Sequence, residues 1–184
     1  MKLNTRSIFA LATFVIASLI SSVSYAKVDP VKQAALMKNI VKYAQSKIGQ
    51  KILRGECTDL VTEALRLNRG QQLTNDTADV TLNGQVTKIP SYRWGTRILT
   101  PKGKLNVPTA GCIVQFEQCT FKKNGSTWVM FHHTAIVEKV SGTKVTLLQQ
   151  NMDGSLDRSV VRRDVVDFSG KVNGSYRVFK PNPL

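Results

Sequence analysis

The chain is short of acids, histidines and cysteines. Its 184 residues hold 12 Asp and Glu against 26 Lys and Arg, giving a formal charge of +14. Such an excess favours polyanions: anionic cell-wall polymers, acidic membrane surfaces or nucleic acid. The basic residues are scattered, and their densest cluster is Arg158, Arg162 and Arg163. No stretch interleaves aromatics with cations as nucleic-acid recognition requires, so nucleic acid ranks last among these partners. Long apolar runs are also missing, with one exception. Ile8 to Ile20 is apolar apart from Thr13 and Ser18, but it falls short of the roughly 20 residues that span a bilayer. With Lys2 and Arg6 ahead of it and Ser24-Tyr25-Ala26 as a small-x-small cleavage site, residues 1–26 read as a secretory signal peptide. No cysteine near that site supports a lipoprotein. The expectation is a secreted or periplasmic protein whose remaining residues, 27–184, carry +12. Internal repeats, low-complexity tracts and linkers are absent, and this length suits a single domain.

Only three cysteines are present, an odd number for an exported chain. Cys112 and Cys119 flank Ile113-Val114-Gln115-Phe116, which reads as a strand. Fully extended, that span separates them by about 23 Å, whereas a disulfide needs Cα atoms roughly 4.4–6.8 Å apart. The two would also face opposite sides of the sheet. They can pair only if the strand ends before Cys119 and the chain folds back. Cys57 is the free thiol in either case.

Val31 to Ile48 repeats apolar residues at helical spacing through Leu36, Met37, Ile40, Val41, Ala44 and Ile48, and Gly49 ends it. Cys57 to Leu67 is a second helix with Leu60, Val61, Ala64 and Leu65 on one face, stopped by Asn68-Arg69-Gly70. Residues 68–110 read as a long loop. It carries turn signals at Asn75-Asp76-Thr77 and Asn83-Gly84 and two aromatics in Tyr92-Arg93-Trp94-Gly95. Strands follow near 112–117, 127–131, 134–140, 144–150, 159–163 and 175–179. Ser141-Gly142 forms a tight hairpin, with further turns at Met152-Asp153-Gly154 and Ser169-Gly170. Two helices, a loop and then an antiparallel sheet make an α+β domain.

This order gives Cys57 and the only two histidines a possible chemistry. A cysteine at an apolar helix position is more often a small core residue than a nucleophile. At a helix start, however, unpaired backbone N–H groups favour a thiolate and lower its pKa. Gly55 lets the chain turn sharply before it, and the Cys57 N–H can serve an oxyanion. His133 opens the apolar run Thr134 to Val140, where its imidazole can take the thiol proton and return it to a leaving amine. His132 and His133 must face opposite sides of the strand, and His132 is the candidate for a satisfied surface histidine. The next strand ends in Gln149-Gln150-Asn151. A carboxamide there, Asn151 or Gln149 on the same face, can fix the imidazole tautomer. Asn151 can equally well serve the following turn.

Several separated segments together resemble the CHAP family of cysteine, histidine-dependent amidohydrolases/peptidases, within the papain-like NlpC superfamily. They are Gly55-Glu56-Cys57, Tyr92-Arg93-Trp94-Gly95, Gly111-Cys112-Ile113-Val114-Gln115-Phe116, His133-Thr134-Ala135-Ile136-Val137-Glu138 and Leu148-Gln149-Gln150-Asn151. A sister group, the cysteine proteinase-like fold domain of some eukaryotic actin-associated proteins, shares the GEC, HHTAIV and QN forms more closely. The likeness spans residues 32–180. It implies a papain-like α+β fold, Cys57 as nucleophile, His133 as base and acid, and Asn151 as orienting residue. Gln149 stands beside it, and no metal or organic cofactor is implied. Implied substrates are peptidoglycan peptides or related amides. Two departures stand out: Cys112 occupies the place of an Asp in many members, and Gln149 that of a Glu. They keep open a non-catalytic binding module on the same fold. A secreted effector acting on proteins by proteolysis or deamidation stays open as well.

Overall fold

A computed structural model describes residues 28–101, 104–123, 125–152 and 159–184. The expected signal peptide, Arg158 and the Asp153-Gly154 turn lie outside these residues. Helix α1, Pro30–Ser46, starts where Asp29 accepts hydrogen bonds from Val31 N (2.9 Å) and Lys32 N (3.3 Å), with Pro30 at its first position. It buries Leu36, Ile40 and Ala44 and ends two residues earlier than its apolar spacing predicts, because Ile48 is drawn into a β-bridge with Val161. Helix α2, Cys57–Leu67, has the expected bounds and buries Leu60, Val61, Ala64 and Leu65.

The long loop expected over 68–110 is largely extended structure. Strands β1, Thr74–Leu82, and β2, Gln85–Arg93, form a hairpin. Its tip is Asn83-Gly84, both at positive φ (50° and 80°), as a two-residue hairpin turn demands. Asn75-Asp76-Thr77 is not a turn but the start of β1. One face of β1 is buried through Ala78 and Val80, and Ser91 is buried on β2; the alternation Ala78, Val80, Leu82 in the sequence marks that face.

Strands β3 (Thr96–Ile98), β4 (Ile113–Lys123), β5 (Ser126–Ser141), β6 (Lys144–Gln149), β7 (Arg162–Asp167) and β8 (Lys171–Lys180) make one antiparallel sheet. Their order is β3-β8-β4-β5-β6-β7. The expected strands at 127–131 and 134–140 are one continuous β5. The turn expected at Ser141-Gly142 is Gly142-Thr143, between β5 and β6, and the strand expected at 159–163 begins at Arg162. Ser169-Gly170 belongs to a short 3-10 helix, Phe168–Gly170.

The sheet separates two cores. On one side α1 and α2 pack Leu36, Ile40, Leu60 and Val61 against Ile113, Ile136, Leu148 and Phe179. On the other side Val114, Phe116, Ala135, Val137, Leu147 and Val178 pack with Phe121 and Phe168. Each fully buried side chain of this size contributes about 1.5–3 kcal/mol of transfer free energy. The period of two along β5 then fixes two faces. Ile136 and Thr134 look toward the helices, while Ala135 and Val137 look away.

Cys112 and Cys119 do not face opposite sides, as an unbroken strand predicts. Both lie in the core away from the helices. The strand continues through Cys119, and Gln118, at φ 50°, sits in an irregularity that shifts the β4–β8 register and reverses the alternation. Gly174 lies against this bulge, where an added Cβ would meet the Gln118 backbone. All three cysteines are free and buried. Cys119 donates to Ser175 O at 2.9 Å.

Candidate active site

Cys57 is the first residue of α2 and is nearly closed off from solvent. The turn before it is held from two directions. Asp59 Oδ2 accepts from Arg54 N and Glu56 N, both at 3.0 Å, closing a capping box. Gln150, wholly buried, accepts from Ile52 N (3.2 Å) and donates to Ile52 O (3.2 Å) and Glu56 O (2.7 Å). Neither residue stood out in the sequence as part of a site. Gln150 was detectable in principle, because the period of two along β6 puts it on the helix side with Leu148.

The thiol occupies an unpaired strand edge. Strand β6 pairs with β5 from Ser141↔Lys144 as far as Ile136↔Leu148, which leaves the β5 backbone beyond Ile136 without a strand neighbour on that side. Cys57 Sγ fills the gap. It donates to His132 O at 3.7 Å and faces the Thr134 backbone N–H. Burial pushes its pKa up, outweighing the N–H groups of Thr134, Thr58 and Cys57, while Glu56 adds to the rise. This corrects the expectation that the helix start lowers it. The N–H groups act as expected, but desolvation exceeds them.

His133 points away from the helices, tilted against Phe116 at 6.3 Å between ring centres. Its Nε2 lies 3.0 Å from Gln149 Oε1, and Gln149 Nε2 donates to Asp164 Oδ2 at 2.9 Å. Asp164 also accepts from Arg162 Nε at 2.8 Å. This chain assigns the protons. Asp164 takes the amide hydrogens of Gln149, so the amide oxygen faces the imidazole and Nε2 carries the ring hydrogen. Nδ1 is the acceptor, and among the described residues it has no hydrogen-bond partner. Burial lowers the His133 pKa to about 4, against the raising effect of the Gln149 bond.

Asn151 is not hydrogen-bonded to His133. It takes φ 61°, and its Nδ2 donates to Glu56 Oε2 at 3.5 Å. Its Oδ1 is buried without a partner. The structure therefore brings His133 and Gln149 together, Asn151 and Glu56 together, and Cys57 to the backbone of His132 and Thr134. Neither imidazole is hydrogen-bonded to the thiol.

His132 is exposed and hydrogen-bonded, as expected of a satisfied surface histidine. On the helix side of β5, its Nδ1 lies 2.7 Å from Oε2 of the fully buried Glu117, its cross-strand partner on β4. Tyr92 packs edge-on to it at 5.0 Å. Trp94 is buried beside them, donating to Gln115 Oε1 at 2.9 Å. Among the described residues no group of three or more His, Cys, Asp or Glu could hold a metal ion.

A helix-start cysteine set on the edge of an antiparallel sheet, with histidine and carboxamide on adjacent strands, defines the papain-like cysteine proteinase fold. Residues 33–183 match the model of the AIM3/BBC1 cysteine proteinase-fold domain, and the chain belongs to that family. Altered inheritance of mitochondria protein 3 of Debaryomyces hansenii is 24% identical over 148 residues, 78% of this chain. The match covers only 16% of that protein's length. Among solved structures, the crystal structure of Ly7917 is similar at 18% identity and a TM-score of 0.44, over 80% of this chain and 62% of that one. Ly7917 with the hydrolyzing product of MDP is similar at 19% identity and 0.45, over 79% and 63%.

Proposed function

We propose that the protein is an exported cysteine hydrolase that cuts amide bonds, with peptidoglycan peptides as substrate. The observation that carries this reading is the thiol held against the β5 backbone at His132 and Thr134, on the strand that carries His133, whose bond to Gln149 leaves Nδ1 as acceptor. Cys57 Sγ attacks the amide carbonyl as His133 Nδ1 takes its proton. The tetrahedral oxyanion is met by backbone N–H groups at the α2 start. Collapse breaks the C–N bond and sends the proton from His133 to the leaving amine. Water then hydrolyses the thioester and restores the thiol. Gln149 keeps the ring oriented throughout. With the thiol pKa raised and the imidazole pKa lowered, the resting pair is uncharged, so proton transfer accompanies attack. The basic charge holds the enzyme on an anionic wall. The test is zymography on purified cell wall, with fragments identified by mass spectrometry. Wild type should clear it and Cys57→Ala should not; equal clearing refutes the hydrolase.

A second reading is a binding module that keeps the fold without turnover. The uncharged resting pair and the neutral amide at Gln149, in place of a carboxylate, favour it. On this reading purified wall is bound equally by wild type and Cys57→Ala, and neither releases fragments. An effector acting on a protein substrate would use the same pair, and it differs by releasing peptide or ammonia from protein rather than from wall.

A further inference from the structure

The hydrolase chemistry employs His133 and leaves the other histidine without a task. His132 has a side chain 41% exposed, yet it is anchored to a carboxyl group with no exposure at all. Glu117 Oε1 accepts from Gln115 Nε2 at 3.2 Å and from Ser91 Oγ. Ser91 Oγ in turn accepts from Arg177 Nη2, so its own hydrogen is the one given to Glu117. Every neighbour of Glu117 donates to it, and His132 must therefore supply its Nδ1 hydrogen. In the neutral ring the remaining nitrogen, Nε2, is then a lone-pair acceptor.

His132 lines a cavity of about 480 Å³ together with Asn75, Asp76, Pro90, Ser91 and Tyr92. Its walls offer acceptors: His132 Nε2, the Asp76 carboxylate and the Asn75 amide oxygen. Tyr92 adds an aromatic ring. Two carboxyl groups, Asp76 and the buried Glu117, stand against one fixed cation. That cation is Arg177, whose side chain is 3% exposed and donates to Asp76 Oδ2 at 2.8 Å. The second cation, Arg93, reaches Asp76 Oδ2 only at 3.3 Å with a side chain 55% exposed. An ion pair that open is weak, and a ligand cation can replace it.

We infer that this cavity binds a cationic nitrogen donor, an alkylammonium or guanidinium group. It does so on a protein whose overall charge would otherwise repel cations. His132 links the cavity to the thiol through one residue: its ring lines the cavity and its carbonyl receives the Cys57 hydrogen. Resting on the hydrolase reading, this names the substrate further: a peptide with a free amine or guanidine close to the amide that is cut.

The chain's two histidines give two imidazole C2–H signals, a direct readout that needs no turnover. Agmatine is titrated into the full chain, with glutarate and pentanol as anionic and neutral controls. Agmatine should shift one signal saturably, the controls should not, and His132→Gln should remove the shifting signal. Asp76→Asn should weaken agmatine about tenfold or more, from loss of a charge-assisted hydrogen bond. Asn75→Lys, a change at an exposed strand position, should abolish binding by placing a competing cation at the mouth. No saturable shift, a shift by glutarate instead, or unchanged agmatine binding by Asn75→Lys overturns the inference. Binding without any wall or peptide cleavage refutes the hydrolase alone.

Discussion

Acidification should expose the cost of burying His133. The imidazole is neutral and 5% exposed, with its pKa lowered to about 4, against about 6.5 in an unfolded chain. Above the unfolded value neither state binds the proton, and stability is unaffected. Between the two values the unfolded chain is protonated and the folded protein is not, so each falling pH unit favours unfolding by up to about 1.4 kcal/mol. Through the whole window the loss is about 3 kcal/mol, a large part of the 5–15 kcal/mol or so that a domain typically possesses. Below about pH 4 both states carry the proton and the loss stops growing. The assay is urea unfolding of wild type and His133→Gln at steps from about pH 4 to about pH 7.5. Glutamine does not titrate and can still donate to Gln149, and all carboxyl groups are common to both proteins. The difference between the curves therefore isolates the imidazole. The advantage of wild type over the variant should shrink by about 3 kcal/mol on acidification. Parallel curves, or a buried imidazole signal titrating near the unfolded value, refute the reasoning.

Three further outcomes follow from the same geometry. Gln150→Ala removes three buried hydrogen bonds that hold the turn before Cys57. Urea unfolding should show a loss of about 2–4 kcal/mol, and iodoacetamide should reach Cys57 faster; unchanged stability would contradict the bracing role. In the native protein the pH midpoint for alkylation of Cys57 should lie above that of an ordinary thiol, because burial raises its pKa; a midpoint below it would show that the helix start dominates after all. Unfolding without reductant should expose three alkylatable thiols, since all three cysteines are free, whereas a single adduct by mass spectrometry would reveal a Cys112–Cys119 disulfide.

The parts of the fold that were legible in the sequence are those where one face is apolar and the other is not. Helix α2 shows this with Leu60, Val61, Ala64 and Leu65, and its bounds agree with the structure. The β1–β2 hairpin was read as loop because its apolar stripe is short, Ala78, Val80 and Leu82 on β1, while β2 is exposed over Gln85 to Lys88 and carries Pro90. Asn83-Gly84 was read as a turn and is one; the alternation over Thr77 to Leu82 just before it was the further signal. The face of Cys119 was hidden for a different reason. A period of two carries no information across a bulge, and nothing about Gln118 announces a positive φ. In the site, the helix-start position of Cys57 and the strand position of His133 were readable. The partner of His133 was not, since a carboxamide run of three residues offers Gln149, Gln150 and Asn151 to three different tasks. Only the paired strands decide among them, sending Gln149 to the imidazole, Gln150 to the turn before the thiol and Asn151 to Glu56.

The two histidines also show how one strand divides charge between its faces. A carboxyl group and a carboxamide can each fix the orientation of an imidazole through one hydrogen bond. In this chain the carboxylate is not lost when Gln149 stands beside His133. It stands on the neighbouring strand as Glu117, on the opposite face, beside His132. The buried ring therefore has only a neutral partner, consistent with its low pKa. The half-exposed ring has the carboxyl partner and the cavity. Exchanging the partners would be costly. A carboxylate at position 149 would lie 2.9 Å from Asp164 in place of the Gln149 amide, replacing a hydrogen bond with like-charge repulsion. Asp164 therefore explains why position 149 is an amide. It also predicts that Gln149→Glu destabilises the protein unless Asp164→Asn accompanies it, a coupling that a double-mutant cycle by urea unfolding would measure directly.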